Sequence, residues 1–188
     1  MLLRSKKITP AGYAEYLKAI VAELKEKCAQ YDFPQPYLVV EPGRSIVAEA
    51  GITLYTVGAI KEIPNVKKYV AVDGGMFDNP RYALYQSKYT ALLAARADEK
   101  PEEIVTIAGK CCESGDIVCA DVPLPAAKSG EILAVLSTGA YNYSMASNYN
   151  RNFIPGAVLA YKGNAEYIVK PQTYEDLTRN DLIPERLK

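Results

Sequence analysis

Apolar residues at Tyr13, Leu17, Ile20, Val21 and Leu24 recur at helical spacing, with Lys and Glu between them, which predicts an amphipathic helix running to about Tyr31. Thr9 stands where an N-cap is expected, and Pro10 in the first turn, where its missing N–H costs nothing. Pro34-Gln35-Pro36 ends the helix. The run Tyr37 to Glu41 then reads as a short strand of the kind buried in a parallel sheet. Helix, buried strand and the following Pro42-Gly43 turn together make an α/β unit over residues 1 to about 50. One helix and one parallel-type strand cannot bury themselves, so this unit reads as truncated.

After Gly51 the period changes. Short β-branched runs at 52–61, 68–73, 103–108, 117–120, 132–136, 157–161 and 165–169 are punctuated by Gly, Pro, Asn and Asp, and predict an all-β domain over 51–188. Lys162-Gly163-Asn164 is the expected hairpin turn between the last two runs. Residues 80–93 and 144–149 read as helical or loop interruptions, and 174–177 as a closing turn or short helix. The fold class is therefore mainly β with an N-terminal α/β remnant. There is neither an internal repeat nor a low-complexity linker.

Composition narrows the function class. Lys+Arg and Asp+Glu both number 22, and hydrophobic residues make up 49%, the balance of a soluble globular protein with no charge signal for nucleic acid. No apolar stretch approaches the ~20 residues that a bilayer requires. Met1 to Lys7 place charge after the apolar residues, the reverse of a secretory signal, and the expected location is the cytoplasm. The four cysteines, Cys28, Cys111, Cys112 and Cys119, are then expected as free thiols. No C-x-x-C pair and no histidine is present, so a zinc site is not expected. Proton transfers within this chain fall to Cys, Tyr, Lys or carboxylates.

Four segments carry candidate chemistry, and pattern alone leaves each open. Glu41-Pro42-Gly43-Arg44-Ser45 sits where a strand ends and a helix begins: it is either an anion site or a tight turn with Arg44 paired to Glu41 or Glu49. Asp73 to Tyr85 contains a Gly-Gly turn, then Arg81 and Tyr85 one helical turn apart. They face a ligand together or are an exposed Arg and a half-buried Tyr. Lys110 to Asp116 holds Cys112 between charged residues, either as a proton donor or nucleophile or as a small apolar filler before a Ser-Gly-Asp turn. Thr138 to Asn150 is rich in hydroxyls and amides, suited to a polar pocket. Tyr is also an ordinary core-edge residue, and the chain has 15.

The segments EPGRSIVAEAG (41–51), VAVDGGMFDNPRYALY (70–85), GKCCESGD (109–116) and TGAYNYSMASNYN (138–150), with the terminal TYEDL (173–177), in this order, closely resemble the diaminopimelate decarboxylase family over nearly the whole chain. CESGD and SMASNYN separate it from the related ornithine and arginine decarboxylases. The resemblance implies an alanine-racemase-like (β/α)8 barrel followed by a β-domain, pyridoxal 5'-phosphate as cofactor, meso-diaminopimelate as substrate, and a homodimer with active sites at the subunit interface. Residues 1–50 are then the final barrel segment. By the same transfer Glu41, Gly43, Arg44 and Tyr141 contact the cofactor, and Arg44, Arg81, Tyr85, Tyr141 and Glu113 the substrate. Cys112 is the proton donor, and Cys112 and Glu113 serve the partner's site.

The family's Schiff-base Lys, ring-stacking His and Gly-rich phosphate loop all precede the segments present here. The chain departs further at Phe153-Ile154-Pro155-Gly156, where the family usually carries a Pro-Arg-Pro-like stretch. Expected is a C-terminal part of the decarboxylase, inactive alone. The alternatives are a noncatalytic binding or dimerisation module, one half of a split enzyme completed by an N-terminal barrel fragment, and a compact cofactor-free enzyme with Cys112 as nucleophile.

Overall fold

Alternating inward and outward side chains build eight strands, as a computed structural model describing residues 11–188 shows. The described chain divides into two compact units, one ending at Glu41 and one beginning at Pro42.

In the first unit, helix α1 spans Tyr13–Gln30. The Gly12 N–H donates to the Glu15 carboxylate at 2.9 Å, which satisfies one of the donors that a helix start leaves unpaired. The helix therefore begins later than the expected Thr9 cap; Thr9 and Pro10 lie outside the described residues. Lys27 in the last turn complements the helix dipole. The amphipathic pattern is real, yet its apolar face is barely covered: Leu17, Val21 and Leu24 are half-buried, Tyr13 and Ile20 exposed, and Cys28 alone is buried. Residues 37–41, expected as a buried strand, form no strand, and Tyr37, Leu38, Val39 and Val40 are all exposed. A parallel-type strand forms only when a neighbour supplies its ladder partners, and no described strand does so.

The second unit opens with the single-turn helix α2 (Arg44–Val47) and a 3-10 turn (Ala48–Ala50). A six-stranded sheet follows in the order β3-β6-β1-β2-β4-β5, with β1 Ile52–Ile63, β2 Lys67–Val72, β3 Ala91–Leu93, β4 Glu103–Ala108, β5 Ile117–Leu124 and β6 Ile132–Leu136. Six of the expected strand runs return here and below with small boundary shifts, and β5 extends further than expected. Strand β3 was hidden in a stretch expected to be loop or helix, being only three residues long. Tyr55, Val57, Val70, Val72, Leu93, Val105, Ile107, Leu133 and Val135 point inward into one continuous core. The sheet curls into a nearly closed barrel, and a cleft of about 570 Å³ lined by residues of β3 and β5 marks its seam.

Register decides which loops meet. All adjacent strands pair antiparallel except β2 and β4, which run parallel with Ala71 opposite Ala108. Val57 of β1 stands opposite Val72, and Ile52 opposite Leu136. The start of β1 and the ends of β2, β4 and β6 therefore lie at one end of the barrel. Helix α3 (Arg81–Tyr85) and helix α4 (Asn142–Met145) follow β2 and β6 at that end.

Strands β7 (Ala157–Tyr161) and β8 (Asn164–Val169) form a separate two-stranded sheet, and helix α5 (Tyr174–Thr178) follows. The expected turn at 162–164 forms as a two-residue turn, since Lys162 and Gly163 both have positive φ, 48° and 81°, while Asn164 already opens β8. No helix among the described residues is long and apolar enough to cross a membrane.

Leu133 is fully buried in the barrel core while Leu159 on the hairpin is 56% exposed. In denaturant unfolding, Leu133→Ala is expected to cost about 2–5 kcal/mol, whereas Leu159→Ala should stay within about 0.5 kcal/mol.

Candidate active site

The antiparallel pairing of β1 with β6 places the segment before β1 beside the one after β6. Thr138 N–H donates to the Gly51 carbonyl and Gly139 N–H to the Ala48 carbonyl, both at 3.0 Å, lacing the two together. Tyr141 then turns through a left-handed conformation (φ 73°), and its phenol oxygen lies 2.1 Å from where a Cβ on residue 43 would stand. Any side chain on residue 43 would have to displace the Tyr141 ring.

Two guanidinium groups close on the same ring. Arg44 Cζ lies 5.3 Å and Arg81 Cζ 5.2 Å from the Tyr141 ring centroid, and Arg81 also lies 4.5 Å from the centroid of Tyr85, one turn along α3. Arg81 Nη1 donates to Met145 Sδ at 3.6 Å. Cation–π contacts of this kind are worth roughly 0.5–2 kcal/mol, which holds the side chains but leaves their charge uncompensated. Neither arginine makes an ion pair among the described residues. Arg44 Nη2 and Arg81 Nε are buried without a hydrogen-bond partner there. Arg44 also lines a cavity of about 310 Å³ with Ser87, Lys88, Thr90 and Ser137. Two planar cations with free, desolvated donors make a site for a carboxylate or phosphate. The reading of Arg44 as a surface residue paired to Glu49 does not hold.

The second group sits on the turn between β4 and β5. The Cys112 side chain is exposed, and its backbone N–H donates to Asn150 Oδ1 at 2.9 Å. Tyr149 Oη donates to Glu113 Oε2 at 3.2 Å; this bond, more than desolvation, raises the Tyr149 phenol above its ordinary value. The adjacent Cys111 differs: burial first, then the Asp116 charge, pushes its thiol up to about 11. The Ser-Gly-Asp turn forms as the sequence suggested, but Cys112 is not a buried filler. No hydrogen bond, ion pair or ring contact among the described residues joins Cys112 or Glu113 to the arginine pair.

Gly43, Arg44, Arg81, Tyr85 and Tyr141 are thus brought together, Cys112 and Glu113 form a separate group, and Glu41 is exposed as the last residue of the first unit. Sequence reasoning gave no role to Tyr149, Asn150 or Met145, although all three lie in the hydroxyl- and amide-rich run. Ser137, Tyr141, Asn150 and Arg151 all have positive φ (58°, 73°, 51° and 55°), strain of order 1–3 kcal/mol each that clusters at functional sites. A side-chain run cannot reveal it.

The loop that carries α3 is itself pinned from the core. Tyr55 Oη donates to Asp78 Oδ2 at 2.7 Å, and Gly75 N–H to Asp78 Oδ1 at 2.7 Å. Burial raises both groups, Tyr55 well above 10.0 and Asp78 above 3.8.

Comparisons with known proteins converge on one group. Residues 13–139 match the model of the pyridoxal-dependent decarboxylase C-terminal sheet domain. The diaminopimelate decarboxylase of Bacillus subtilis (strain 168) is 53% identical over 173 residues, 92% of this chain and 39% of that protein. The crystal structure of diaminopimelate decarboxylase from M. jannaschii superimposes with a TM-score of 0.84 at 36% identity, covering 100% of this chain and 42% of that one. A second structure of that enzyme, in co-complex with L-lysine, gives 0.78 at 38% identity over 93% of this chain and 38% of that one. The chain spans about 40% of the length of the curated relatives it matches.

Replacing Tyr55 by Phe leaves Asp78 without its phenol donor, and should cost about 1–3 kcal/mol at neutral pH. Because the folded-state phenol titrates above its unfolded value, its contribution is complete below pH ~10 and is lost as pH rises through the folded value. The loss of stability above pH ~10 in urea titrations should therefore be smaller for Tyr55→Phe than for the parent chain.

Proposed function

We propose what this chain does from one premise: it belongs to the family of pyridoxal-dependent decarboxylases, whose C-terminal sheet domain it carries. It is the C-terminal part of a diaminopimelate decarboxylase, which converts meso-diaminopimelate to L-lysine and CO2. The observation that carries the reading is the pair of unneutralised guanidinium groups on Tyr141, since cofactor and substrate both present anions. Residues 1 to about 50 are the last segment of a (β/α)8 barrel, and the β-domain is the remainder.

The residues fit the cofactor. The absent Cβ of Gly43 admits the Tyr141 phenol, and Arg44 keeps a buried donor free; these residues would hold the phosphate. Pyridoxal 5'-phosphate, when bound, supplies the electron sink for breaking the bond to the departing carboxylate. Arg44, Arg81, Tyr85 and Tyr141 bind and orient the substrate, the guanidinium forks taking carboxylate. Cys112 Sγ gives its proton to the carbon that has lost CO2. Glu113 accepts hydrogen bonds from the distal ammonium. Neither makes a hydrogen bond or ion pair with the arginine pair among the described residues, and, as the family resemblance implies, they act in the site of the partner subunit of a homodimer. Its place is the cytoplasm, where four free thiols stay reduced.

The chain is inactive alone. It has no histidine to stack on the cofactor ring, and the family's cofactor-anchoring lysine and Gly-rich loop belong to the upstream barrel. The exposed Tyr37 to Val40 run favours completion by that barrel, whether on one polypeptide or as the second half of a split enzyme.

The purified chain with added pyridoxal phosphate should form no lysine from meso-diaminopimelate, and supplying the upstream part of the Bacillus subtilis relative should restore it; turnover by the chain alone overturns the reading. In the completed enzyme, Cys112→Ala should lower kcat about 10²–10⁴-fold. Mixing Cys112→Ala with Arg81→Ala subunits should recover roughly a quarter of the sites if each site draws on two subunits. No recovery would place both residues in the same site.

A further inference from the structure

We propose that Asp116 is a positioning residue that fixes the Cys112–Glu113 turn to the loop leading into α3. The inference rests on the reading above only in taking Cys112 and Glu113 as the groups that do chemistry. Asp116 is 3% exposed, and no cation pairs with it among the described residues. Its charge is held by backbone amides from two different loops. Met76 N–H donates to Oδ1 at 2.6 Å, and Cys111 N–H donates to Oδ2 at 2.7 Å. One carboxylate thus spans the loop after β2 and the turn after β4.

The backbone completes the lock. The Asp116 carbonyl accepts the Gly109 N–H at 2.8 Å, the Asp116 N–H donates to the Glu113 carbonyl at 3.1 Å, and Lys110 N–H donates to the Gly74 carbonyl at 3.0 Å. The carboxylate is packed so closely that a Cβ on residue 109 would stand 2.2 Å from Oδ2, and one on residue 75 would stand 2.6 Å from it. A third segment joins the same assembly, because Ser147 N–H donates to the Phe77 carbonyl at 2.8 Å. The Cys112 turn, the approach to Arg81 and the tyrosine-rich run therefore share one anchor. Charge-assisted bonds to amide donors are about twice as strong as neutral ones, and their removal leaves buried N–H groups unpaired.

Asp116→Asn keeps the shape of the side chain but turns one acceptor into a donor facing a donor, so either Met76 or Cys111 loses its partner. The test uses the full 188-residue chain, with hydrogen exchange resolved by residue, and alkylation of buried Cys119 as a reporter that the barrel stays folded. In the parent chain the Met76 and Cys111 amides should exchange at least about 100-fold slower than free loop amides. In Asp116→Asn, exchange across 111–113 should rise at least about tenfold while Ile107 and Val118 are unchanged. In the enzyme completed by its upstream part, the same variant should lower kcat about tenfold or more because the Cys112 thiol loses its place, with any rise in KM coming from the loosened Glu113 contact. Unprotected Met76 and Cys111 amides in the parent chain overturn the proposal even if the variant fails to fold. So does a folded variant with parental exchange, or one in which KM rises while kcat holds. If the completed parent enzyme makes no lysine, the functional reading fails, while the exchange data still decide the role of Asp116.

Discussion

The parallel pairing of β2 with β4 is the constraint on which the site depends. An antiparallel neighbour would have sent the loop after β2 and the turn after β4 to opposite ends of the barrel. Parallel pairing, with Ala71 opposite Ala108, releases both chains side by side, so that Asp73 to Asp78 and Gly109 to Asp116 emerge within reach of a single carboxylate. Parallel neighbours require a long crossover, and the crossover here is used: it contains α3, with Arg81 and Tyr85, and the edge strand β3. The antiparallel pairing of β1 with β6 does the same at its own corner, bringing Gly43 and Arg44 to Tyr141.

What the barrel end then holds is a charge imbalance. Arg44 and Arg81 share the faces of one neutral ring instead of meeting an acid, although the chain carries as many acids as bases. The acids nearby are committed elsewhere: Asp78 to Tyr55 and Gly75, Asp116 to Met76 and Cys111, Glu113 to Tyr149. Two like charges left unpaired in a half-buried corner are unfavourable in the free protein, because low effective dielectric strengthens their repulsion. Under the proposed function, that cost is what an incoming carboxylate or phosphate removes, and it becomes affinity.

Much of this was legible in the chain, and what was not has a common cause. Local patterns identified α1, most strands and the Lys162-Gly163 turn, because periodicity and turn chemistry are written within a few residues. The motifs named the residues of both groups, yet which of them touch depends on strand register, which no local pattern encodes. The run 37–41 shows the converse. Its composition reads as a buried strand, but among the described residues it pairs with no strand and is exposed, since burial is a property of neighbours and not of the run itself. Asp116 was visible only as the end of a turn. Its role required seeing that a residue 40 positions earlier in the chain, Met76, donates to it.

Separating Cys112 and Glu113 from the arginine pair has a physical logic. Under the proposed function, a thiol that gives up its proton at a carbon and a carboxylate that receives an ammonium are poor neighbours for two guanidinium groups that would otherwise neutralise the carboxylate in advance. Placing the groups on different loops keeps Glu113 hydrogen-bonded to a neutral phenol, Tyr149, rather than salt-bridged to Arg81. A phenol can yield its place to an incoming ammonium at a cost of one solvent-exposed hydrogen bond, about 1 kcal/mol. Under that reading the arginine half keeps buried donors without a partner, the Glu113 half rests on an exposed phenol that can be exchanged, and the proposed anchor at Asp116 places the Cys112–Glu113 turn.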